Sequence, residues 1–220
     1  MGNIRVTGKS TVRLQPDTTR LTITLKGGYM DYQETLTHSA RDTEALREAL
    51  TALGFARDGL KTLSFDVDTK YENVQEHGRN FRQVFAGYEY THVLKLDFPS
   101  DNDLLGRTLY ALAVSELHPE FRLSYTVRDQ EGARNLLLAQ AVSDARGKAR
   151  VLAQAAGAEL GELQTIDYSW GDVSFEVQPL RRSLAPADGA LMAKAASLDL
   201  AIEPEEIQLS DTVTVVWALA

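Results

Sequence analysis

The chain has 220 residues and no cysteine, which excludes disulfides, thiolate nucleophiles and zinc–thiolate sites. It also lacks any run of about eighteen apolar residues, so the sequence predicts no membrane span. The first residues contain no basic segment followed by an apolar stretch, which is the pattern that directs export. We therefore expect a cytoplasmic protein.

Basic residues are too few and too scattered to form a surface for polyanions. Lysine and arginine number 23 against 31 aspartates and glutamates, which gives a formal net charge of −8. Phosphate backbones and anionic lipids bind concentrated positive patches, so nucleic acid and membrane surfaces are disfavoured as partners. The run that begins at Asp66 has alternate acids but lacks the glycine and bidentate glutamate of a calcium loop. The sequence predicts no metal and no cofactor.

The letters GKST at residues 8–11 resemble the end of a phosphate-binding loop, which needs four residues between its two glycines and a buried strand before it. Five residues separate Gly2 from Gly8, and only Met1 precedes Gly2, so neither condition is met. Apolar residues instead alternate with polar and charged ones from Ile4 to Leu14. This alternation is typical of a half-buried strand whose charges face solvent.

Periodicity along the whole chain predicts the order strand, strand, helix, strand, strand, helix, strand, helix, strand, strand. Hairpins joined by single helices indicate an α+β fold, in which antiparallel or mixed sheets are covered by helices. The length suits one domain over residues 1–220 or two small sandwich lobes. The predicted strands lie at residues 4–14, 21–25, 63–67, 84–98, 121–127, 162–177 and 207–219, and the helices at 32–53, 104–112 and 131–157.

Four connecting segments carry specific expectations. Pro16 begins a tight turn, which makes the first two strands a hairpin. Residues 71–81 are polar and are expected to form a mobile loop. Ser100 with Asp103 resembles a capping box for the second helix. Residues 178–204, rich in Ala, Pro and Ser without a period, are expected to form an irregular excursion loop.

Two helices show distinct apolar stripes. In the third helix small residues recur every fourth position, which predicts a narrow, close-packing face that suits core packing and subunit packing equally. The stripe comprises Ala133, Leu137, Ala141, Ala145, Ala149 and Ala153. The first helix is expected to bury Leu36, Ala40, Leu46, Leu50 and Leu53.

Three stretches resemble the SIMPL domain family, in the family's order and over nearly the whole chain: IRVTGKSTVRLQPDTTRLTI, GYEYTHVLKL and AVSDARGKARVLAQAAGAELGEL. The resemblance implies an α+β fold, often described as two lobes, and ring-like or channel-like homo-oligomers. It links the chain to oxidative-stress defence, to bacterial envelope antigens and to a kinase of innate immune signalling. An exported or cell-envelope location is therefore the alternative to the cytoplasm. The resemblance implies no reaction and supplies no catalytic residues.

Two groups of residues are candidates for interaction. Asp144 and Lys148 match the family's helix motif; they form either a buried pair that sets the register against a neighbouring subunit or an ordinary exposed i,i+4 pair. His92, beside Tyr88 and Tyr90, is either a base or ligand of a small site, or a hydrogen-bonded core histidine. The ordinary interpretation is favoured for both groups.

The sequence leaves three functional hypotheses. The first is a non-enzymatic protein that self-associates through exposed strand edges and the alanine-rich helix. The second is an enzyme or small-ligand binder with a site near Tyr88, Tyr90 and His92. The third is a signalling adaptor that presents Arg181 and Arg182 within residues 178–204.

Overall fold

The computed structural model describes residues 2–76, 80–168, 174–178 and 202–220. Its strands form two antiparallel sheets accompanied by helices, which confirms the predicted α+β class and the predicted element order. The elements are β1 (Gly2–Leu14), β2 (Thr18–Tyr29), α1 (Tyr32–Ala52), a 3₁₀ turn (Arg57–Gly59), β3 (Leu60–Glu76), β4 (Asn80–Pro99), α2 (Asn102–Val114), β5 (Glu120–Thr126), α3 (Gln130–Ala155), β6 (Leu160–Asp167) and β7 (Ile207–Leu219).

The chain divides into two compact units. Unit 1 comprises Met1–Asp17, Thr126–Val177 and Pro204–Ala220, and it holds a three-stranded sheet of order β1-β7-β6 together with α3. Unit 2 comprises Thr18–Tyr125 and Gln178–Glu203, and it holds a four-stranded sheet of order β3-β4-β2-β5 together with α1 and α2.

In unit 1 the two ends of the chain meet. β1 pairs with β7 along its whole length, from Gly2 opposite Leu219 to Leu14 opposite Ile207. The predicted alanine stripe of α3 is buried and contacts β1 and β7, so it serves the core of its own unit. One cluster of this core contains Val6, Ala141, Ala145, Ala149, Val213, Val215 and Trp217.

In unit 2 the long strand β4 lies between β2 and β3 and supplies the predicted apolar face. The buried residues of this face include Tyr90, Leu94, Leu96 and Phe98, and α1 and α2 cover them with leucines. The core is therefore built from large side chains, which fill the space between helices and sheet by volume.

Three aspartates begin the three helices. The carboxylates of Asp31, Asp101 and Asp129 each accept a hydrogen bond from the backbone N–H three residues later. The predicted capping box at Ser100 is wrong by one residue, because Asp101 is the cap of α2. Gly54 and Gly157 follow α1 and α3 with positive φ, as expected of glycine after a helix.

The predicted hairpin of the first two strands is wrong, because β1 and β2 belong to different sheets. The intervening Asp17 directs its hydrogen bonds to another segment: its N–H donates to the Thr126 carbonyl at 3.2 Å, and its carboxylate accepts from the Arg128 N–H at 2.8 Å. Those bonds anchor the turn to the segment before α3. β1 is thereby free to pair with β7, which matches it over thirteen residues.

The predicted mobile loop at residues 71–81 is also wrong at 71–76 and 80–81, while residues 77–79 lie outside the described residues. β3 continues to Glu76 and β4 starts at Asn80, so the two strands form a long antiparallel arm. Tyr71 and Phe85 lie opposite each other on the arm, with ring centroids 6.1 Å apart. Both faces of this arm are exposed near these rings, so its residues need not alternate between apolar and polar.

The buried face of α1 differs from the predicted stripe at its start. Leu46 and Leu50 are buried, but Thr35, Ser39 and Thr43 replace Leu36 and Ala40 on the face that packs inward. The hydroxyls of Thr35 and Thr43 donate to helix carbonyls four residues earlier, each at 2.8 Å. Because these hydroxyls are satisfied within the helix, they can be buried at low cost.

Candidate functional site

Asp144 and Lys148 do form an i,i+4 ion pair, with Nζ 2.7 Å from Oδ2 and both side chains partly exposed. Asp144 also binds a second element: the same carboxylate oxygen accepts a hydrogen bond from the backbone N–H of Lys9 in β1, at 2.8 Å. The bonds from Lys148 and from the Lys9 N–H lower the pKa of Asp144. The pair therefore ties α3 to β1 within the chain, a role that neither interpretation of the sequence anticipated.

At Gly8 the backbone of α3 lies directly against β1. A Cβ at this position would lie 2.0 Å from the Ala141 carbonyl oxygen and 2.6 Å from the Ala145 nitrogen. The helix backbone therefore rests directly on the strand, and only glycine fits beneath it. The letters GKST thus mark a helix–strand contact, with Gly8 under the helix and the Lys9 N–H held by Asp144.

Among the residues that the structure describes, β1 and β6 are the two edge strands of the sheet in unit 1. The Lys9 N–H that binds Asp144 is not directed at β7, so we place it on the outer edge of β1. Groups at alternate residues of a strand point the same way, so the other odd-numbered residues of β1 direct their N–H and C=O groups outward too. Apart from the Lys9 N–H, which Asp144 holds, the outward groups of such an edge can pair with a further strand.

The two edges differ in charge. The exposed basic residues Arg5, Lys9 and Arg13 lie on β1, and no acidic residue lies on that strand. β6 carries the exposed acids Glu162 and Asp167 and no basic residue. Arg5 and Asp167 already form an exposed ion pair across β7 at 3.3 Å. One sheet therefore has a basic edge and an acidic edge.

A groove flanks α3 on each side. The groove beside β1, about 500 Å³, has an apolar floor of Val6, Val151 and Leu152, and both of these helix residues are more than half exposed. The groove beside β6, about 360 Å³, is lined by Leu163, Ile166 and other residues of α3, β6 and β7. Exposed aliphatic side chains thus accompany both edges on the helix side of the sheet.

His92 is 8% exposed, and both of its ring nitrogens are bonded. Nδ1 lies 2.9 Å from the Thr43 hydroxyl and Nε2 lies 2.9 Å from the Thr62 hydroxyl. Since the Thr43 hydroxyl donates to the Ser39 carbonyl, we place the histidine proton on Nδ1. Burial, and then the charge of Arg47, lower the pKa of His92, which favours the neutral ring.

Tyr90 and Tyr88 have different surroundings from His92. The Tyr90 ring is fully buried and its hydroxyl donates to the Asp42 carboxylate. Burial, and then this bond to Asp42, raise the pKa of Tyr90. Tyr88 lies edge-on to the exposed rings of Tyr32 and Phe85, with centroids 5.3 and 5.4 Å away. The hydrogen bonds of His92 and Tyr90 thus lead to different residues.

Some contacts of these residues could not be read from the sequence. The threonines around His92 and the aspartate under Tyr90 come from α1 and β3, so nothing in the neighbouring letters signals them. The sequence itself shows that β1 carries basic residues and β6 acidic ones. Only the sheet order shows that these two strands lie at opposite edges of one sheet. Most of residues 178–204, with Arg181 and Arg182, lie outside the described residues.

The part of the chain that the structure describes contains no group of three or more His, Asp or Glu side chains placed to hold a metal. None of the helices described there is long and apolar enough to cross a membrane.

In a comparison with known proteins, no curated protein matches the sequence, but one family model does. The model of the SIMPL family, described as a protein of unknown function (DUF541), matches residues 4–217. This range contains unit 2, all but the terminal residues of unit 1, the glycine under α3 and the Asp144–Lys148 pair. The match covers nearly all of the 220 residues, and the chain therefore belongs to the SIMPL family.

Proposed function

We propose that this protein acts by assembling with copies of itself, head to tail, through the two edges of the sheet in unit 1. The basic edge β1 of one copy pairs with the acidic edge β6 of the next. No catalytic step belongs to this role. The observation that carries the proposal is the opposite charge of the two edges of a single sheet.

The charges favour this contact over a symmetric one. Pairing β1 with β1 of a second copy brings Arg5, Lys9 and Arg13 against the same cations, which is destabilising. Pairing β6 with β6 does the same for Glu162 and Asp167. Only the contact of β1 with β6 matches opposite charges, and a contact between two different surfaces repeats from copy to copy.

The apolar side chains beside the edges support the same contact. Leu163 and Ile166 of β6 lie on the helix side of the sheet and are about half exposed. Placed next to β1 of another copy, they adjoin the groove of Val6, Val151 and Leu152. Burial of these aliphatic groups supplies the attraction, and the charges select the partner edge.

The family resemblance adds expectations that go beyond this geometry. A stress-related or envelope-related setting stays a prediction, and so does the choice between the cytoplasm and an exported location. Head-to-tail contacts close into rings when the rotation between copies closes, which agrees with the ring-like assemblies that the resemblance implies.

Light scattering at protein concentrations up to about 100 µM tests the proposal. We expect a native mass that is a multiple of 24.3 kDa and that falls when Arg5→Glu and Lys9→Glu are combined. The control reverses two exposed cations of unit 2, Lys61→Glu with Arg122→Glu, and is expected to leave the mass unchanged. A mass of 24.3 kDa for the unmodified chain across this range contradicts the proposal.

A further inference from the structure

Unit 2 contains a cleft of about 390 Å³ between α1 and the end of α2. Its size is within the range that holds small ligands. Its lining combines apolar and charged residues with the polar His38 and Ser115, and comes from α1, α2 and the segment after α2, all within unit 2. The lining residues that carry the argument are Arg41, Asp42, Ala45, Ala49 and Leu117.

The carboxylate of Asp42 is held in place from below. The Tyr90 hydroxyl, at the end of a fully buried ring, donates to one oxygen of Asp42. An aspartate fixed by a buried donor loses little side-chain freedom when a ligand binds, so it is preorganised to accept an ammonium group. Burial of Tyr90 and its bond to Asp42 keep the tyrosine protonated and therefore donating.

The rest of the cleft supplies one cation and an apolar floor. Arg41 lines the same wall as Asp42, and Glu116 lines the cleft from the segment after α2. Ala45, Ala49 and Leu117 supply the apolar surface of the cleft that a ligand can reach. A cleft that contains both a guanidinium and a fixed carboxylate matches a ligand with both a carboxylate and an ammonium group, and the apolar side chains match an aliphatic tail.

We propose that this cleft binds a small zwitterion with an apolar side chain, the chemistry of a free aliphatic α-amino acid. The ammonium group binds Asp42, the carboxylate binds Arg41, and the side chain rests on Ala45, Ala49 and Leu117. The inference is independent of self-association, since all of these residues belong to unit 2.

Isothermal titration of the full chain with three matched probes tests the proposal. L-leucine carries both charges, L-leucinamide lacks the carboxylate and represents the end of a peptide, and 4-methylpentanoate lacks the ammonium group. We expect leucine to bind about tenfold more tightly than either analogue. Failure of leucine to saturate the protein at about 10 mM, or equal binding of leucinamide, overturns the proposal.

Substitutions assign the two charges. Asp42→Asn is expected to weaken leucine binding about tenfold, and Arg41→Gln to abolish the preference for leucine over leucinamide. Tyr90→Phe, which keeps the buried ring, tests positioning: it is expected to weaken leucine and leucinamide by the same factor. Glu48→Gln and Arg107→Gln, on exposed parts of α1 and α2 that do not line the cleft, serve as controls. Leucine binding that is the same in Asp42→Asn and in the controls contradicts the assignment.

Discussion

The two units differ in the size of the side chains that pack between helix and sheet. In unit 1, α3 presents alanines and rests its backbone on Gly8 of β1. In unit 2, α1 and α2 present leucines to a sheet face of tyrosine, leucine and phenylalanine. A contact between backbones leaves no room for a larger side chain, whereas a layer of large side chains can repack. Unit 1 should therefore tolerate far less variation than unit 2.

Enlarging glycine tests this difference most strongly. Gly8→Ala places a methyl group against the Ala141 carbonyl and is expected to lower the free energy of unfolding by about 3 kcal/mol or more. Gly28→Ala in β2 is the matched control, because its new Cβ meets only the Tyr88 carbonyl at 3.6 Å. We expect a change below about 1 kcal/mol there. Urea denaturation followed by circular dichroism measures both, and equal losses in the two variants contradict the comparison.

Conservative changes of size separate the two cores next. In unit 2, Leu94→Ala is expected to cost about 3 kcal/mol through the cavity it leaves, and Leu94→Met less than about 1.5 kcal/mol because the volume is kept. In unit 1, Ala145→Val adds two methyl groups at a contact with β1 and is expected to cost more than Leu94→Met. Thermal or chemical unfolding of the three variants decides this order. A cost for Leu94→Met above that of Ala145→Val contradicts it.

The stability of unit 2 is expected to depend on pH through histidine, because all four histidines of the chain lie in the segments of this unit. The pKa of His92 in the folded protein is below its ordinary value, so the unfolded chain takes up this proton first. The stability that depends on neutral His92 is complete above about pH 6.5 and is lost as pH falls from there through the folded pKa.

His92→Gln keeps a side chain that can bond both threonines but removes the titration. We expect the unfolding free energy of the natural chain to fall between pH 7 and pH 5, and that of the variant to fall less. Urea denaturation at several pH values measures the two slopes. Parallel curves for the two proteins would show that His92 does not respond to pH in this way.

Asp144 provides a smaller test of the link between α3 and β1. Asp144→Ala removes the acceptor of the Lys9 N–H and the partner of Lys148, whereas Asp144→Asn keeps an acceptor without the charge. We expect faster amide hydrogen exchange at Lys9 in the alanine variant than in the asparagine variant, with only a modest loss of overall stability. Equal exchange at Lys9 in the natural chain and the alanine variant excludes the link.

Gly147 gives the smallest effect, and in the opposite direction. This glycine lies within α3, and a Cβ added to it meets no atom within 4 Å. Gly147→Ala is therefore expected to stabilise the protein by about 0.5–1 kcal/mol, through helix propensity alone. A melting temperature below that of the natural chain would show that space at α3 is restricted beyond the Gly8 contact.

Local patterns predicted much of this fold. The alanine stripe of α3, the alternation in β4 and the terminal strands depend on spacing along one element, and the structure confirms them. Pairing partners depend on distant segments: the turn at Asp17 looked like a hairpin because β7, nearly two hundred residues away, was not a local competitor. The exposed arm of β3 and β4 lacked alternation because neither face is covered there.

The candidate sites were harder to predict for the same reason. His92 and Tyr90 were recognised as candidates from their residue types. Their hydrogen-bond partners are Thr43, Thr62 and Asp42, which come from other elements and could not be identified from the sequence. Asp144 was selected through its motif, while its bond to Lys9 depends on the contact at Gly8. The sequence shows which residues can interact, but the topology determines which of them lie in contact.

Charge exchange between the two edges tests head-to-tail assembly most directly. One variant carries Arg5→Glu with Lys9→Glu, which makes both edges acidic, and the other carries Glu162→Lys with Asp167→Lys, which makes both edges basic. All four residues are exposed, and the Arg5–Asp167 pair that each variant breaks is an exposed one worth little, so the substitutions should leave the fold intact.

Native mass is measured for each variant alone and for an equal mixture. We predict that each variant alone stays at 24.3 kDa and that the mixture regains the mass of the natural assembly. A mixture that remains at 24.3 kDa, or single variants that assemble as the natural chain does, would contradict pairing of β1 with β6.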